Sequence, residues 1–215
     1  MNIRPVYLDY LSHMPEYHTW VNDGLRTRAV VMVDNRDDPI RNVIASFQRF
    51  LEPSWNFYHL IPPPSFGPDG FNQLLLTPSF WDFFLREDII LLIQGDTVCL
   101  RPLDPRFEQY AMIGAPCGLG KYDEPFTMNG GLSLRNRQAM VRALADRKPC
   151  DLPEDVFFTK TLRELGEPVP SYEECCAFSV ESDHSYQVLP FGVHGTDKDH
   201  HTDELAALMV ANALY

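Results

Sequence analysis

The sequence has no apolar run of the roughly 20 residues that a membrane-spanning helix needs, and its first residues contain no apolar signal-peptide segment. We therefore expect no integral membrane segment and a cytoplasmic location. No internal repeat, low-complexity tract or linker is present. Apolar residues make up 45% of the 215 residues, which is enough for a sizeable core. The chain is therefore expected to form a single domain over residues 1–215.

Positive charge is also scarce. The chain has 18 Lys and Arg against 30 Asp and Glu, which gives a formal net charge of -12. This balance makes nucleic acid and anionic membranes poor candidates as partners. It does not exclude a nucleotide, because a divalent cation can lie between carboxylates and phosphates.

The cysteine pattern lacks a metal-binding or redox motif. There are five cysteines and no pair is spaced as CxxC. An odd number without such spacing is most simply explained by reduced, mostly buried thiols. The adjacent Cys175 and Cys176 cannot bridge each other without strain, so no role is assigned to them.

The first half of the chain alternates between strand and helix patterns. Asp38 is suited to cap the first helix, with Pro39 at its first position. The pattern predicts strands at 29–34, 55–60 and 90–94, a helix at 40–51 and a helix within 71–86. This order is typical of a nucleotide-binding α/β sheet.

The second half is less regular. Ser171 is expected to cap a short helical turn. The sequence predicts strands at 109–114, 177–181 and 188–194, a short strand or turn at 132–134, helices at 135–147, 156–165 and 203–215, and a loop at 115–128.

The segment ILLIQGD places Gln94, Gly95 and Asp96 directly after an apolar run. Such a run indicates a strand that is buried on both faces of a sheet. The carboxyl ends of such strands face the crevice in which open α/β sheets bind ligands. Taken alone, the heptapeptide is better explained by a strand followed by a polar turn.

Three further motifs are each weak alone. Asn129-Gly130-Gly131 allows close approach of backbone to a ligand, or simply makes a tight turn. Glu154-Asp155 is suited to proton transfer, or to the positive end of a helix. His194 ends an apolar strand, and two roles fit this position: a metal ligand, or a buried, hydrogen-bonded histidine.

Together these motifs resemble the GT-A glycosyltransferases, and more closely a bacterial and viral group of glycosyltransferase-like domains without assigned function. The resemblance covers residues 29 to 195. The matching pieces are VDNR, FWDFFLREDIILLIQGDTVCLRP, YAMIGAP, MNGGLSLRNRQAM, PEDVFF, AFSVE and PFGVH. It implies a single-domain α/β GT-A-like fold, with a central, mostly parallel mixed sheet flanked by helices.

The resemblance also divides the domain by role. It implies a nucleotide-binding half at 29–100, an acceptor and catalytic half at 101–195, and a C-terminal tail and helix at 196–215.

The resemblance implies a metal and donor site. GT-A enzymes typically end a central strand in Asp-x-Asp, where this chain has Gln94, Gly95 and Asp96. Asp96 is expected to bind Mn²⁺ or Mg²⁺ with His194 as second ligand, and manganese accepts imidazole better. Gln94 can still hydrogen-bond a ribose hydroxyl.

Other residues complete the implied donor site. Asp34 and Arg36 are placed at the base and ribose, where Arg36 can pair with a phosphate or make a surface salt bridge. The Asn129-Gly130-Gly131 segment is placed under the transferred sugar, with Asn129 as a hydrogen-bonding group, and Gly95 is counted among the donor-binding residues.

For catalysis, the resemblance implies an inverting transfer with Asp155 as the base. Glu154 contacts the acceptor or a sugar hydroxyl, and the two carboxylates can exchange roles. A retaining mechanism is also compatible with the motif.

The expected function is transfer of a sugar from a nucleotide-diphosphate donor to a glycan or other hydroxyl acceptor, with metal assistance. The alternative is a non-catalytic module that binds a sugar nucleotide or glycan on the same fold, which the neutral Gln94 favours. A nucleotidyltransferase ranks third, because VDNRDDP lacks a Gly-rich basic signature.

Overall fold

The computed structural model describes residues 4–14, 19–34, 40–51, 53–149, 151–181 and 189–196. The predicted cap Asp38, the donor-site residue Arg36 and the predicted helix at 203–215 lie outside the described residues. The helices are α1 (Arg4–Ser12), α2 (Ile40–Leu51), α3 (Gly67–Leu75), α4 (Pro78–Asp82), α5 (Arg137–Asp146), α6 (Glu154–Glu164) and α7 (Tyr172–Phe178). The strands are β1 (Arg28–Val33), β2 (Asn56–Leu60), β3 (Ile89–Ile93), β4 (Thr97–Cys99), β5 (Met112–Cys117), β6 (Thr127–Asn136), β7 (Ser179–Val180) and β8 (Gly192–His194).

Five strands form the central sheet, in the order β2-β1-β3-β6-β5. Strand β1 is parallel to β2 and β3, whereas β6 is antiparallel to β3 and β5. Helices flank this sheet. The predicted α/β architecture with a central mixed sheet is therefore confirmed.

The apolar run of β3 lies in the middle of the sheet, between β1 and β6. All five of its residues are buried, as are five of the six in β1. Burial on both faces explains why neither strand alternates between apolar and polar residues. Because β1 and β3 are parallel, their carboxyl ends lie at the same edge of the sheet, which brings Asp34 and Gln94 together.

A second, three-stranded sheet has the order β4-β8-β7, and the sequence patterns do not predict it. In this sheet Thr97 pairs with His194. The pairing places His194 beside the Gln94-Gly95-Asp96 segment.

The prediction for residues 115–136 was wrong in two respects. Strand β6 covers 127–136, so the predicted loop ends earlier than 128, and Asn129-Gly130-Gly131 lies inside a strand and does not form the tight turn that was one of its two interpretations. Arg135 belongs to this strand, and α5 begins only at Arg137, where the Asn136 side chain accepts from the Ala139 N–H at 3.0 Å. Paired glycines are depleted in strands, which concealed β6 from pattern analysis.

Other segments also differ from prediction, among them the strand predicted at 109–114, which lies at Met112–Cys117. The segment 71–86 contains the end of α3 and a separate α4, because Pro78 starts a new helix. The predicted strand at 177–181 shrinks to β7, since α7 continues to Phe178. Ser171 caps α7 as predicted, through a capping box with Glu174.

Two composition-based predictions bear on the described residues. Cys99, Cys175 and Cys176 are buried as expected, and burial raises the pKa of the Cys99 and Cys175 thiols. No described helix has both the length and the apolar character to cross a bilayer. The cytoplasmic location stays a prediction.

Candidate functional site

A cavity of about 480 Å³ opens at the carboxyl edge of β1 and β3. Its wall is contributed by the ends of these strands, the middle of β6, the end of β8, the start of α6 and the segment that leads into α3. The predicted site residues in this wall are Asp34, Gln94, Asp96, Asn129, Gly130, Gly131, Glu154, Asp155 and His194. The structure therefore brings together motifs that are up to 160 residues apart in sequence, counted from 34 to 194.

Asp34 ties together the ends of the two parallel strands. The Gly95 N–H donates to Asp34 Oδ2 at 2.7 Å, and the Asp34 side chain is buried. Gly95, which was predicted to belong to the site for the sugar donor, is thus the hydrogen-bond partner of Asp34. A charge-assisted hydrogen bond of this kind fixes the turn that carries Asp96.

His194 lies at the centre of a polar cluster. Its Nε2 is 3.0 Å from Gln94 Oε1 and 3.6 Å from Asp96 Oδ1. Its Nδ1 is 3.4 Å from Glu181 Oε1. All four side chains except that of Gln94 belong to buried residues, so the ring is oriented from both sides.

Gly131 makes room for this cluster. A Cβ at this position would lie 2.2 Å from His194 Nε2 and 2.6 Å from Gln94 Oε1. Both distances are far below van der Waals contact. Glycine is therefore required here for steric reasons, since any side chain would displace the imidazole or the amide.

Asp96 and His194 offer the kinds of ligand atom that a divalent cation binds. A carboxylate and an imidazole suit Mn²⁺, and Glu181 behind Nδ1 corresponds to the outer carboxylate that commonly orients a metal-binding histidine. Within the described ranges, no three His, Cys, Asp or Glu side chains form a complete metal-binding group. The protein side thus fits a cation that takes its remaining ligands from a bound substrate or water.

Glu154 is held by a buried arginine. Arg135 Nη1 and Nη2 donate to Glu154 Oε2 and Oε1 at 2.6 and 2.9 Å. Arg135 also donates from Nε to Ser133 Oγ at 2.9 Å, and its guanidinium lies over the Phe158 ring. A bidentate pair of this kind fixes the carboxylate plane. Both Glu154 oxygens are therefore engaged within the protein.

Gly130 lies against this ion pair. An added Cβ would lie 1.8 Å from Glu154 Oε1 and 2.9 Å from Arg135 Nη2. The Asn129-Gly130-Gly131 segment thus separates the Glu154 side of the cavity from the His194 side. Asn129 Oδ1 also accepts a hydrogen bond from the Gly131 N–H at 2.8 Å.

Asp155 has the altered acidity expected of a proton acceptor. Burial and the neighbouring Glu154 charge raise its pKa from 3.8 to about 7, against the lowering effect of the Val156 N–H and of Arg135. The Val156 N–H donates to Asp155 Oδ1 at 2.8 Å, which leaves Oδ2 outside that hydrogen bond. A carboxylate that titrates near neutral pH can accept a proton efficiently.

Sequence reasoning missed three residues that support the site: Arg135, Glu181 and Asn72. Asn72 Oδ1 accepts from the Glu154 N–H at 3.1 Å, where Pro153 supplies no side-chain cap for α6. The signal for Arg135 is its position in an apolar strand, one residue before the helix cap Asn136. Nothing in the local sequence connects Asn72 or Glu181 with the motifs they support.

A comparison with models of protein families identifies the family of this chain. Residues 61–194 match the model described as "Protein of unknown function (DUF5672)". The chain belongs to this family. The matched DUF5672 region contains every cavity residue except Val33 and Asp34, so the candidate site is largely built from the family's shared region. No curated protein matches the sequence.

Two solved structures are similar at low identity. One is a glycosyltransferase involved in the glycosylation of the major capsid of PBCV-1. The sequences are 12% identical, the match covers 86% of this chain and 99% of that chain, and the TM-score is 0.47. The other is the glycosyltransferase GlyE of Streptococcus pneumoniae TIGR4. Here the sequences are 15% identical, the match covers 88% of this chain and 61% of that chain, and the TM-score is 0.42. Both TM-scores are below 0.5, so the function proposed below rests on the cavity and not on this likeness.

Proposed function

We propose that this DUF5672 protein is a glycosyltransferase that moves a sugar from a nucleotide-diphosphate donor to a hydroxyl acceptor. The observation that carries the proposal is the arrangement of one cavity. A carboxylate with a pKa of about 7, Asp155, and a carboxylate–imidazole pair, Asp96 and His194, lie on either side of the Gly130-Gly131 backbone. Proton removal and diphosphate binding are the two tasks that this reaction requires.

The donor side is formed by Asp96, His194 and Gln94. Asp96 and His194 would hold Mn²⁺ or Mg²⁺, which when bound neutralises charge on a diphosphate leaving group. Gln94 offers an amide to a ribose or sugar hydroxyl. The glycines at 130 and 131 let the Glu154 and His194 side chains approach the β6 backbone closely, so that both side chains reach the cavity.

The acceptor side is formed by Asp155. Its ionised carboxylate takes the proton of the acceptor hydroxyl as the acceptor oxygen bonds to the anomeric carbon. The bond from that carbon to the diphosphate oxygen breaks, and its electron pair leaves with the nucleoside diphosphate. A direct displacement of this kind inverts the anomeric centre, because the acceptor oxygen attacks the face of the anomeric carbon opposite the leaving group.

The second candidate is a binding module for a sugar nucleotide or glycan, without catalysis. Gln94 favours it, because its neutral amide occupies a position next to Asp96 where a further carboxylate would strengthen a cation site. The pKa of Asp155 favours the enzyme, since a binding module has no need of a carboxylate that titrates near neutrality.

Calorimetric titration tests the donor site. UDP, GDP and dTDP are each added with and without Mn²⁺ to the wild type, to Asp96→Ala and to Asp82→Ala, whose aspartate is exposed on α4. We expect one nucleotide to bind in a manganese-dependent way to the wild type and to Asp82→Ala, but not to Asp96→Ala. Absence of nucleotide binding under all conditions would contradict the proposal.

Turnover separates the two candidates. The nucleotide that binds is presented as its sugar conjugates, and release of nucleoside diphosphate is followed with and without acceptors. Release that is stimulated by an acceptor and lost in Asp155→Asn supports the enzyme. Binding without any release supports the module.

A further inference from the structure

One wall of the cavity is apolar. Residues 62–72 read PPPSFGPDGFN, and this segment contributes to the cavity lining Pro62, Pro64, Phe66, Gly67, Pro68, Phe71 and Asn72. We name residues 62–72 the proline–phenylalanine wall. Its lining side chains are apolar apart from the amide of Asn72, in contrast to the carboxylates that line the rest of the cavity.

The wall is held in a fixed conformation. The Phe66 N–H donates to the Pro63 carbonyl at 2.9 Å, and Gly67 has a φ of +52°, which favours glycine at this turn. The Phe66 ring lies against Gly70, where an added Cβ would be 2.6 Å from Cδ2. The ring is therefore positioned before any ligand binds, which lowers the entropic cost of binding.

The wall is joined to the helix that carries the proposed base. Asn72 Oδ1 accepts from the Glu154 N–H at 3.1 Å, so the end of the wall meets the first residue of α6. Asp155 is the next residue of that helix. The donor-side residues Gln94 and His194 instead gather at Gly131. The wall thus meets the Asp155 end of the cavity through Asn72.

The charge of the cavity restricts its ligand further. Four carboxylates line it, from Asp34, Asp96, Glu154 and Asp155, and no Lys or Arg is among the described lining residues. Among these described lining residues, an acceptor with a phosphate or carboxylate next to its hydroxyl would find no cationic side chain. A neutral ring with an apolar face would bury that face on proline and phenylalanine side chains.

We propose that the proline–phenylalanine wall is the acceptor subsite, and that it binds the C–H face of a neutral pyranose so that one ring hydroxyl faces Asp155. The inference rests on the proposed function and specifies its acceptor class. It assigns Phe66 a contact with the acceptor and leaves nucleotide binding to the other side of the cavity.

The test uses defined probes and matched variants. Saturation-transfer NMR is recorded with methyl glucoside, methyl galactoside and methyl mannoside, and with methyl glucuronide as a charged counterpart. The protein is the wild type, Phe66→Ala, Phe66→Tyr, Gly70→Ala and Phe83→Ala, whose ring is exposed on the surface outside the cavity lining. Each sample is measured alone and with the nucleotide found by calorimetry.

We expect at least one neutral pyranoside to bind the wild type, Phe66→Tyr and Phe83→Ala. Binding should weaken about tenfold or more in Phe66→Ala and in Gly70→Ala, with an unchanged nucleotide Kd. Retained nucleotide binding also shows that these variants fold.

Two results overturn the inference, and a third overturns the proposed function. If Phe66→Ala weakens binding of the nucleotide but not of the pyranoside, the wall binds the nucleobase of the donor. If the nucleotide binds but no neutral pyranoside does, or the glucuronide binds better, the acceptor class is wrong while the proposed function stands. If no nucleotide binds, the proposed function fails. Pyranoside binding to the protein alone then decides whether the wall is a sugar site.

Discussion

Arg135 encloses the carboxylate of Glu154 with two parallel hydrogen bonds, Nη1 to Oε2 at 2.6 Å and Nη2 to Oε1 at 2.9 Å. The Arg135 side chain is 0% exposed and that of Glu154 is 2% exposed. Glu154 is thus fixed in place by the protein, and its charge raises the pKa of Asp155. We infer that Glu154 acts on the reaction through Asp155, with less scope for the substrate contact that the motif suggested.

The ion pair should be important for folding as a unit. Arg135→Met leaves the Glu154 charge buried without its partner, and we expect a loss of about 3–5 kcal/mol in the free energy of unfolding. The double variant with Glu154→Gln should regain part of that loss, because no buried charge is left uncompensated. Urea denaturation of the two single variants and the double variant measures the coupling. Additive losses would show that the two side chains act independently.

The activity should follow the ionisation of Asp155. Because a base must be deprotonated, kcat/KM is expected to rise with pH and reach half its plateau near the pKa of about 7. Glu154→Gln removes the repulsion that raises this pKa, so the acid limb should move to lower pH. Asp155→Asn should lower the plateau by about 10²–10⁴-fold. A limb that stays in place in Glu154→Gln would argue against electrostatic coupling of the two carboxylates.

Asp155 should also affect stability in a pH-dependent way. Its folded-state pKa is raised to about 7 from 3.8, so the folded protein binds this proton more tightly than the unfolded chain. The stability that this proton contributes is present below the unfolded pKa and is lost as pH rises through the folded pKa.

Removing the carboxylate isolates this effect. Asp155→Asn should gain stability relative to the wild type as pH increases from about 4 to about 7 and hold that gain above it. The exposed Asp151→Asn is the matched control. Thermal or urea unfolding of the three proteins across this range measures the difference, and a constant offset between Asp155→Asn and the wild type would contradict the raised pKa.

The extent to which sequence could predict this protein varies between its parts for physical reasons. Buried apolar runs define β1 and β3 directly, and the polar residues at their ends therefore fall at one edge of the sheet. Strand β6 was predicted only as a short strand or turn at 132–134, because its paired glycines remove the side chains on which strand patterns depend. The same glycines are required by contacts with Glu154 and His194, which lie 24 and 63 residues further along the chain, counted from 130 and 131. Such requirements become visible only when the chain is folded.

Gly131 gives a steric test of the donor side. Gly131→Ala would place a Cβ 2.2 Å from His194 Nε2, so the imidazole must move away from Gln94 and Asp96. We expect manganese-dependent nucleotide binding to fall about tenfold or more, in line with losses seen when metal ligands are misoriented. The control is Gly24→Ala, where the added Cβ meets only the flexible end of Arg86. Equal nucleotide affinity in Gly131→Ala and the wild type would exclude a donor role for this cluster.

Gln94 offers a test of gain rather than loss. Gln94→Glu keeps the side-chain shape and adds a negative charge beside Asp96 and His194, since Gln94 Oε1 already lies 3.0 Å from His194 Nε2. One unit charge at about 4 Å from a cation contributes roughly 1–4 kcal/mol at effective dielectric constants between 80 and 20. We therefore expect Mn²⁺ to bind at least about fivefold more tightly. The titration of free Mn²⁺ by electron paramagnetic resonance, at a pH where histidine is neutral, measures this affinity without any nucleotide.

The double variant that combines Asp96→Ala with Gln94→Glu is the control, and its Mn²⁺ affinity should return towards that of the wild type. If Gln94→Glu leaves Mn²⁺ affinity unchanged, Asp96 and His194 do not form a cation site, and the donor would have to be held by hydrogen bonds alone.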